Sequence, residues 1–214
     1  MTRSLRLLAS ALLALTLAGC GSDSSGQPGP TAANADPAVP TDATLQPERL
    51  ALPPSKLGAD WVKGRGSRLL SDTLLQAQDP AWASFLTQHG RQATYRAIYT
   101  NRLRVRQCVI GVFRTPADAT EVEKVTIQFT LLSKHATQLG DTSLVTVGPD
   151  GGHSARYVFT PQGDVPNQAS IVSWSRGILA LSCVEVMKDG NRSEPRDTLA
   201  LAVAQDRHIV RALR

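Results

Sequence analysis

The chain has 214 residues, of which 42% are hydrophobic and 19% are charged, and its formal net charge at pH 7 is +5. Enough of this length remains after the N-terminal segments described below to form one domain with a hydrophobic core. The three cysteines form no C-x-x-C motif, which argues against a redox-active pair.

The first twenty residues have the parts of a bacterial export signal. Arg3 and Arg6 give a positive start, and the leucine- and alanine-rich run that follows is too short to span a bilayer as a stable helix. The run ends in the sequence L-A-G-C at Leu17–Cys20, which resembles the lipobox of type II signal peptides. The resemblance implies that residues 1–19 are removed and that Cys20 carries a diacylglycerol on its sulfur.

Two alternatives stay open for this segment. It could be an ordinary secretory signal that contains a cysteine, or a transmembrane anchor, although polar residues after Cys20 end the apolar run abruptly. Gly21 is not an Asp, so nothing here would retain the protein at the inner membrane of a two-membrane host. We therefore expect a lipid-anchored, extracytoplasmic protein at the cell membrane or the outer membrane.

Residues 20–48 are rich in Gly, Ser, Pro, Ala, Asp and Thr and include no aromatic residue. Such a composition cannot bury enough apolar surface to fold, which predicts a disordered linker with a reach of about 25–30 Å. Residues 49–214 are then a single globular domain. Residues 50–214 hold 20 of the 23 basic and 14 of the 18 acidic residues, a net charge of +6. This charge favours anionic envelope polymers or lipid headgroups, the alternative being a solvated surface with surplus arginine.

The first predicted elements of the domain are a helix and two strands. Asp79 can cap a helix that starts at Pro80 and ends at Gly90. Alternating residues predict a strand over 92–99, and a turn returns the chain as a second strand over 103–114.

A longer helix follows, and then the remaining strands. Thr115 is a cap for a helix that we expect to run to about Gln138. Its sheet-facing residues would be Val122, Val125, Phe129, Leu132 and Ala136. The next predicted elements are strands over 143–147, 155–160, 169–175 and 178–187 and a last helix that opens at Pro195.

This element order predicts an α+β fold. Consecutive strands joined by short turns give a mostly antiparallel sheet of five to six strands, packed with two or three helices. The strings Val109–Ala119, Leu139–Ser143 and Val172–Gly177 resemble a pattern of exported bacterial lipoproteins, and their order is similar to small α+β lipoproteins of the Mog1/PsbP-like kind. That resemblance implies a fold and no activity.

Cys108 and Cys183 remain after lipidation of Cys20. Outside the cytoplasm, an even pair of cysteines in one domain is most simply a disulfide, and both residues lie in apolar strings that read as central strands. Two buried free thiols are the alternative.

The sequence holds few motifs that indicate chemistry. No G-x-S-x-G motif occurs, and the four histidines stand singly, so we expect no catalytic, cofactor-binding or metal site. His153, in a glycine-rich turn with Asp150 and Asp164 nearby in sequence, is the best candidate for a polar site. The segment Lys63–Arg68 has two glycines and three cations whose backbone N–H groups could cradle an anion, or it is only a flexible entry to the domain.

Four arginines are candidates for binding an anion. Arg96 projects from the first strand, and alternation puts Arg102, Arg104 and Arg106 on one face of the next. No Asp or Glu occurs in residues 80–117, so repulsion among these cations would favour an anionic partner. The alternative is that the arginines only keep a sheet edge soluble.

These observations favour a non-enzymatic domain, tethered to the membrane by its N-terminal lipid, that binds an envelope protein or an anionic polymer and not a nucleic acid. One alternative is a carrier of a lipid or small apolar ligand, which would need a cavity of several hundred Å³ between sheet and helices. The other is an envelope-modifying hydrolase.

Overall fold

The computed structural model describes residues 45–102, 104–160, 166–187 and 193–214. The signal peptide, Cys20 and nearly all of the expected linker lie outside the described residues. Pro47, which the composition assigned to the linker, is buried in a 3-10 helix, Pro47–Leu50, so packing begins slightly before residue 49. Within the described ranges, no helix combines the length and the hydropathy needed to cross a membrane.

An antiparallel sheet forms the centre of the fold, which is α+β as predicted. In the described part of the chain the sheet has nine strands, more than the five or six expected, because short edge strands join it. The strands are β1 (Val62–Lys63), β2 (Arg68–Leu69), β3 (Arg91–Thr100), β4 (Arg104–Phe113), β5 (Thr137–Gln138), β6 (Ser143–Val145), β7 (Gly152–Phe159), β8 (Asn167–Arg176) and β9 (Leu179–Met187). Their order is β1-β3-β4-β9-β8-β7-β5, with β2 also paired to β3 and β6 to β7.

Helices cover both faces of the sheet. Four α-helices occur among the described residues, one more than the upper expectation: α1 (Asp72–Gln78), α2 (Pro80–Gln88), α3 (Pro116–Ser133) and α4 (Pro195–Ala212). The α4 face of the sheet carries Cys108 and Ile110, and it packs on α4 through Leu201 and Ile209. The α3 face carries the alternate residues and packs on α3, α1 and α2.

The predicted helix starts are correct, and their chemistry is local. The carboxylate of Asp79 accepts the Trp82 N–H at 3.0 Å, and the hydroxyl of Thr115 accepts the Asp118 N–H at 3.1 Å. Each cap is followed by a proline at the first helical position. Helix α1, which sequence analysis did not predict, begins at a similar cap, Ser71.

Helix α3 is shorter than predicted. It ends at Ser133 rather than near Gln138, and His135 just beyond it has a left-handed backbone with a φ of 47°. Residues 137–138 form strand β5 against β7 instead of a last helical turn. The pairing of these residues with β7 outweighs the helical pattern that continued past Ser133.

A disulfide joins Cys108 and Cys183, as expected. The two residues face each other directly in the β4–β9 register and are fully buried on the α4 face. The disulfide therefore crosslinks the two central strands inside the larger core, beside Ile110 and Leu181.

Candidate functional site

A groove of about 530 Å³ lies on the α3 face of the sheet. Its floor is formed by β4 and β9, one of its walls is α3, and the other contains α1 and α2. The groove runs between the helices because α3 packs mainly over β8 and β9, whereas α2 packs towards β3. The groove is therefore built into the layer arrangement and does not depend on a single loop.

The floor of the groove is apolar and β-branched. Val105 and Val109 of β4 and Val184 and Val186 of β9 line it, and three of these four valines are only partly buried. Val184 and Val186 pack with the cluster that holds Ile127 of α3, whereas Val105 and Val109 belong to no hydrophobic cluster of the described residues. The floor thus presents apolar surface that a ligand with an apolar body would remove from water.

Aromatic side chains fix the walls of the groove against each other. Phe129 of α3 contacts Trp82 and Phe85 of α2, with ring centroids 4.5 Å and 5.4 Å apart. Phe129, which the sequence predicts to face the sheet, therefore also packs on the neighbouring helix α2. Leu132, also expected to face the sheet, is 66% exposed. The buried residues of α3 are Ala119, Val122, Glu123 and Ile127.

The charges along the groove are mostly positive. Arg96 and Lys134 line it, whereas Asp79, the one carboxylate among the described lining residues, is engaged as the cap of α2. Burial, and then the nearby charge of Arg68, lower the pKa of the Arg96 guanidinium. Thr94 lies two residues before Arg96 on the same face of β3, and it is 4% exposed.

The arginines singled out by sequence analysis are divided between the two faces of the sheet. Arg104 and Arg106 share the α4 face, as alternation predicted, whereas Arg96 lies on the α3 face. Arg102 is exposed just before β4. The structure thus brings two of the four side chains together, and anion binding by Arg102 remains a prediction.

Acidic residues from distant parts of the chain neutralise Arg104 and Arg106. The Nε of Arg106 donates to the buried carboxylate of Glu185 at 2.9 Å, and its guanidinium lies 4.4 Å from the ring centre of Trp61. Arg104 lies 3.4 Å from the carboxylate of Asp197 and 3.7 Å from that of Glu185. The absence of acids in residues 80–117 therefore does not leave these cations unpaired.

His153 joins a polar cluster with partners other than those expected. Its Nδ1 lies 3.0 Å from the buried carboxylate of Glu123, which also accepts a hydrogen bond from the Ser173 hydroxyl at 2.8 Å. Asp164 lies outside the described residues. Because the Ser173 proton is donated to Glu123 and not to the imidazole, the geometry is that of a structural tie from α3 to β7 and β8.

The remaining sequence candidates form no metal site in the described ranges. No group of three or more His, Cys, Asp or Glu side chains is placed there to hold a metal ion.

The segment Lys63–Arg68 runs from the end of β1 to the start of β2 and crosses over Ile98 between them. It is therefore part of the sheet edge rather than a separate entry segment.

Comparison with known proteins adds little. No protein-family model and no curated protein sequence matches the chain. Among solved structures, the extracellular domain of PknH from Mycobacterium tuberculosis is similar with a TM-score of 0.49 and 10% sequence identity, over 78% of this chain and 97% of that one. A likeness of this size assigns no function to the chain.

Proposed function

We propose that the protein is a lipid-anchored, extracytoplasmic binding domain that holds a ligand with an elongated apolar body in the groove of the α3 face. The L-A-G-C sequence at Leu17–Cys20 supports the anchor. The buried disulfide Cys108–Cys183 supports a location outside the cytoplasm, where disulfides persist.

The observation that carries the binding function is the groove itself. Its volume of about 530 Å³ falls within the range of small-molecule sites, and its floor is apolar with a few polar groups beside it. A groove of this size between the sheet and the helices supports a carrier of a lipid or small apolar ligand. If no ligand occupied the groove, its apolar floor would stay in contact with water, which costs free energy.

Two other functions have less support. An anionic polymer at Arg104 and Arg106 would have to displace Glu185 and Asp197, which already pair with them. Hydrolysis would need an acid–base pair facing a substrate, and the Asp79 carboxylate in the groove is engaged at a helix start. We therefore propose a non-enzymatic role.

Ligand binding is tested by filling the groove. Val109→Trp adds a large side chain to the floor, and it should weaken binding of monolaurin by about tenfold or more because the acyl chain loses its place. Isothermal titration calorimetry on the full chain measures this affinity. Leu144→Trp, at an 82% exposed position outside the groove, is the matched control and should bind as the wild type does. Equal affinities in both variants would contradict the proposal.

The anchor is tested separately with Cys20→Ala. Without the thiol no lipid can be attached, so the protein should leave the membrane fraction or fail to mature. Incorporation of radioactive palmitate and cell fractionation measure this. A Cys20→Ala variant that still incorporates palmitate and fractionates normally would exclude the anchor and leave the groove proposal intact.

A further inference from the structure

Two arginines face each other at the edge of the groove. Arg68 of β2 and Arg96 of β3 are direct partners in the antiparallel register, so their side chains leave the sheet on the same face. Like charges directly opposite on neighbouring strands destabilise a sheet. An anion held between the two cations would relieve this repulsion.

No protein anion neutralises this pair within the described ranges. Neither guanidinium forms an ion pair with a described carboxylate, and the Nε of Arg96 donates only to the Gly66 carbonyl, at 3.4 Å. Arg104 and Arg106, on the opposite face, each have an acidic partner. The sequence thus supplies carboxylates to one arginine pair and not to the other.

Arg96 connects this pair to the apolar floor, whereas Arg68 lies outside the lining of the groove. Arg96 lines the groove together with Thr94, whose buried hydroxyl has no hydrogen-bond partner among the described residues. Lys134, on the α3 side, also lines the groove and adds a further positive charge.

We infer that Arg68 and Arg96 bind the anionic head of an amphipathic ligand whose acyl chain lies along the groove. This inference rests on the proposed function, and it adds the chemical class of the ligand. A guanidinium presents its N–H groups in a planar fork that matches a carboxylate or a phosphate, and two opposed forks suit one such head. The ligand is thus a fatty acid or a lipid with a single phosphate head, not a neutral glyceride.

Three probes with the same chain length test the inference by calorimetry. Laurate carries a carboxylate, dodecyl phosphate carries a phosphate, and monolaurin is the neutral ester. The full chain with Cys20→Ala, which has no lipid of its own, should bind at least one anionic probe about tenfold more tightly than monolaurin. The preferred head then distinguishes carboxylate from phosphate.

Charge variants test the binding of the anionic head group separately from the binding of the acyl chain. The double variant Arg68→Gln, Arg96→Gln should lose the preference for anions, so that the three probes bind it with affinities within about twofold of one another. Arg68→Gln alone, at an exposed position, should lose part of this preference with no risk to folding. Arg65→Gln is the matched control, since it removes one exposed charge from the same segment away from the groove, and it should keep the full preference.

The outcomes distinguish failure of this inference from failure of the groove. If monolaurin binds as tightly as both anionic probes, or if the double variant keeps the preference of Arg65→Gln, the head-group site is wrong and the groove stands. If none of the three probes binds, the proposed function and this inference both fail.

Discussion

Glu185 is a buried acid in the middle of the sheet, with a side chain that is 1% exposed. It accepts a hydrogen bond from Arg106 and lies 3.7 Å from Arg104, so one carboxylate compensates two cations of the neighbouring strand. Burying a single charge is costly unless a partner is close. The α4 face keeps these charges because each has a counter-ion in place.

Removing that carboxylate charge should be strongly destabilising. Glu185→Gln keeps the size of the side chain and leaves Arg106, whose side chain is 14% exposed, without its counter-ion. We expect the free energy of unfolding to fall by about 3 kcal/mol, which urea denaturation measures. The control is Glu121→Gln, which removes an exposed pair with Lys124 and should cost less than about 1 kcal/mol. Similar losses in both variants would contradict this account of Glu185.

Residue-level partners were the part of the site that sequence could not predict. Alternation correctly put Arg104 and Arg106 on one face, but Glu185 is 79 positions from Arg106 along the chain. The position of Glu185 beside Arg106 follows only from the pairing of β4 with β9. Likewise, the two-residue period of a strand assigns the groove valines Val105 and Val109 to the other face of β4. It does not show whether other residues cover them.

The sheet edge formed by β1 and β2 depends on two glycines that cross the side chain of Ile98. A Cβ atom at Gly66 would lie 2.7 Å from the Cδ1 of Ile98, and one at Gly64 would lie 2.8 Å from its Cγ2. Non-bonded carbon atoms do not approach so closely, so a side chain at either position requires Ile98 to shift, and the Cδ1 that faces Gly66 is the end that moves more easily. This crossing brings Arg68 opposite Arg96.

Gly64 and Gly66 meet different atoms of Ile98, which predicts that one change at Ile98 restores stability to only one of two alanine variants. Gly64→Ala and Gly66→Ala should each cost about 1–3 kcal/mol of unfolding free energy because each overpacks the edge. Ile98→Val removes Cδ1 and keeps Cγ2, so it should relieve Gly66→Ala and not Gly64→Ala. Double-mutant cycles by urea denaturation measure the coupling. Equal rescue of both alanine variants would mean that the edge moves instead of clashing.

Elements were predicted well where their signals are local. The caps Asp79 and Thr115, each followed by proline, correctly predicted the starts of α2 and α3. The end of α3 was wrong, because the pairing of residues 137–138 with β7 is a tertiary contact. Edge strands of two residues, such as β1 and β2, are too short for alternation to reveal.

At the scale of the whole molecule, the disulfide connects strands that are 75 positions apart in sequence. The cysteine count and the apolar strings around Cys108 and Cys183 predicted this bond. On a chain-entropy argument, closing a loop of this length stabilises the fold by about 4 kcal/mol. Replacing both cysteines by alanine should lower the unfolding free energy by about that amount. Mass spectrometry of non-reduced peptides checks the bond itself, and two free thiols in protein from its own host would contradict it.

The central claim is that the groove between α3 and the α1–α2 pair holds an acyl chain, and photoaffinity labelling tests it most directly. A laurate analogue with a diazirine at the end of its chain is bound to the full chain and irradiated, and the labelled peptides are identified by mass spectrometry. The account predicts label on the groove strands, at residues such as Val105, Val109 and Val186, and its loss in Val109→Trp. Label that follows exposure instead, with Leu144 at 82% exposure among the strongest sites, would contradict the account.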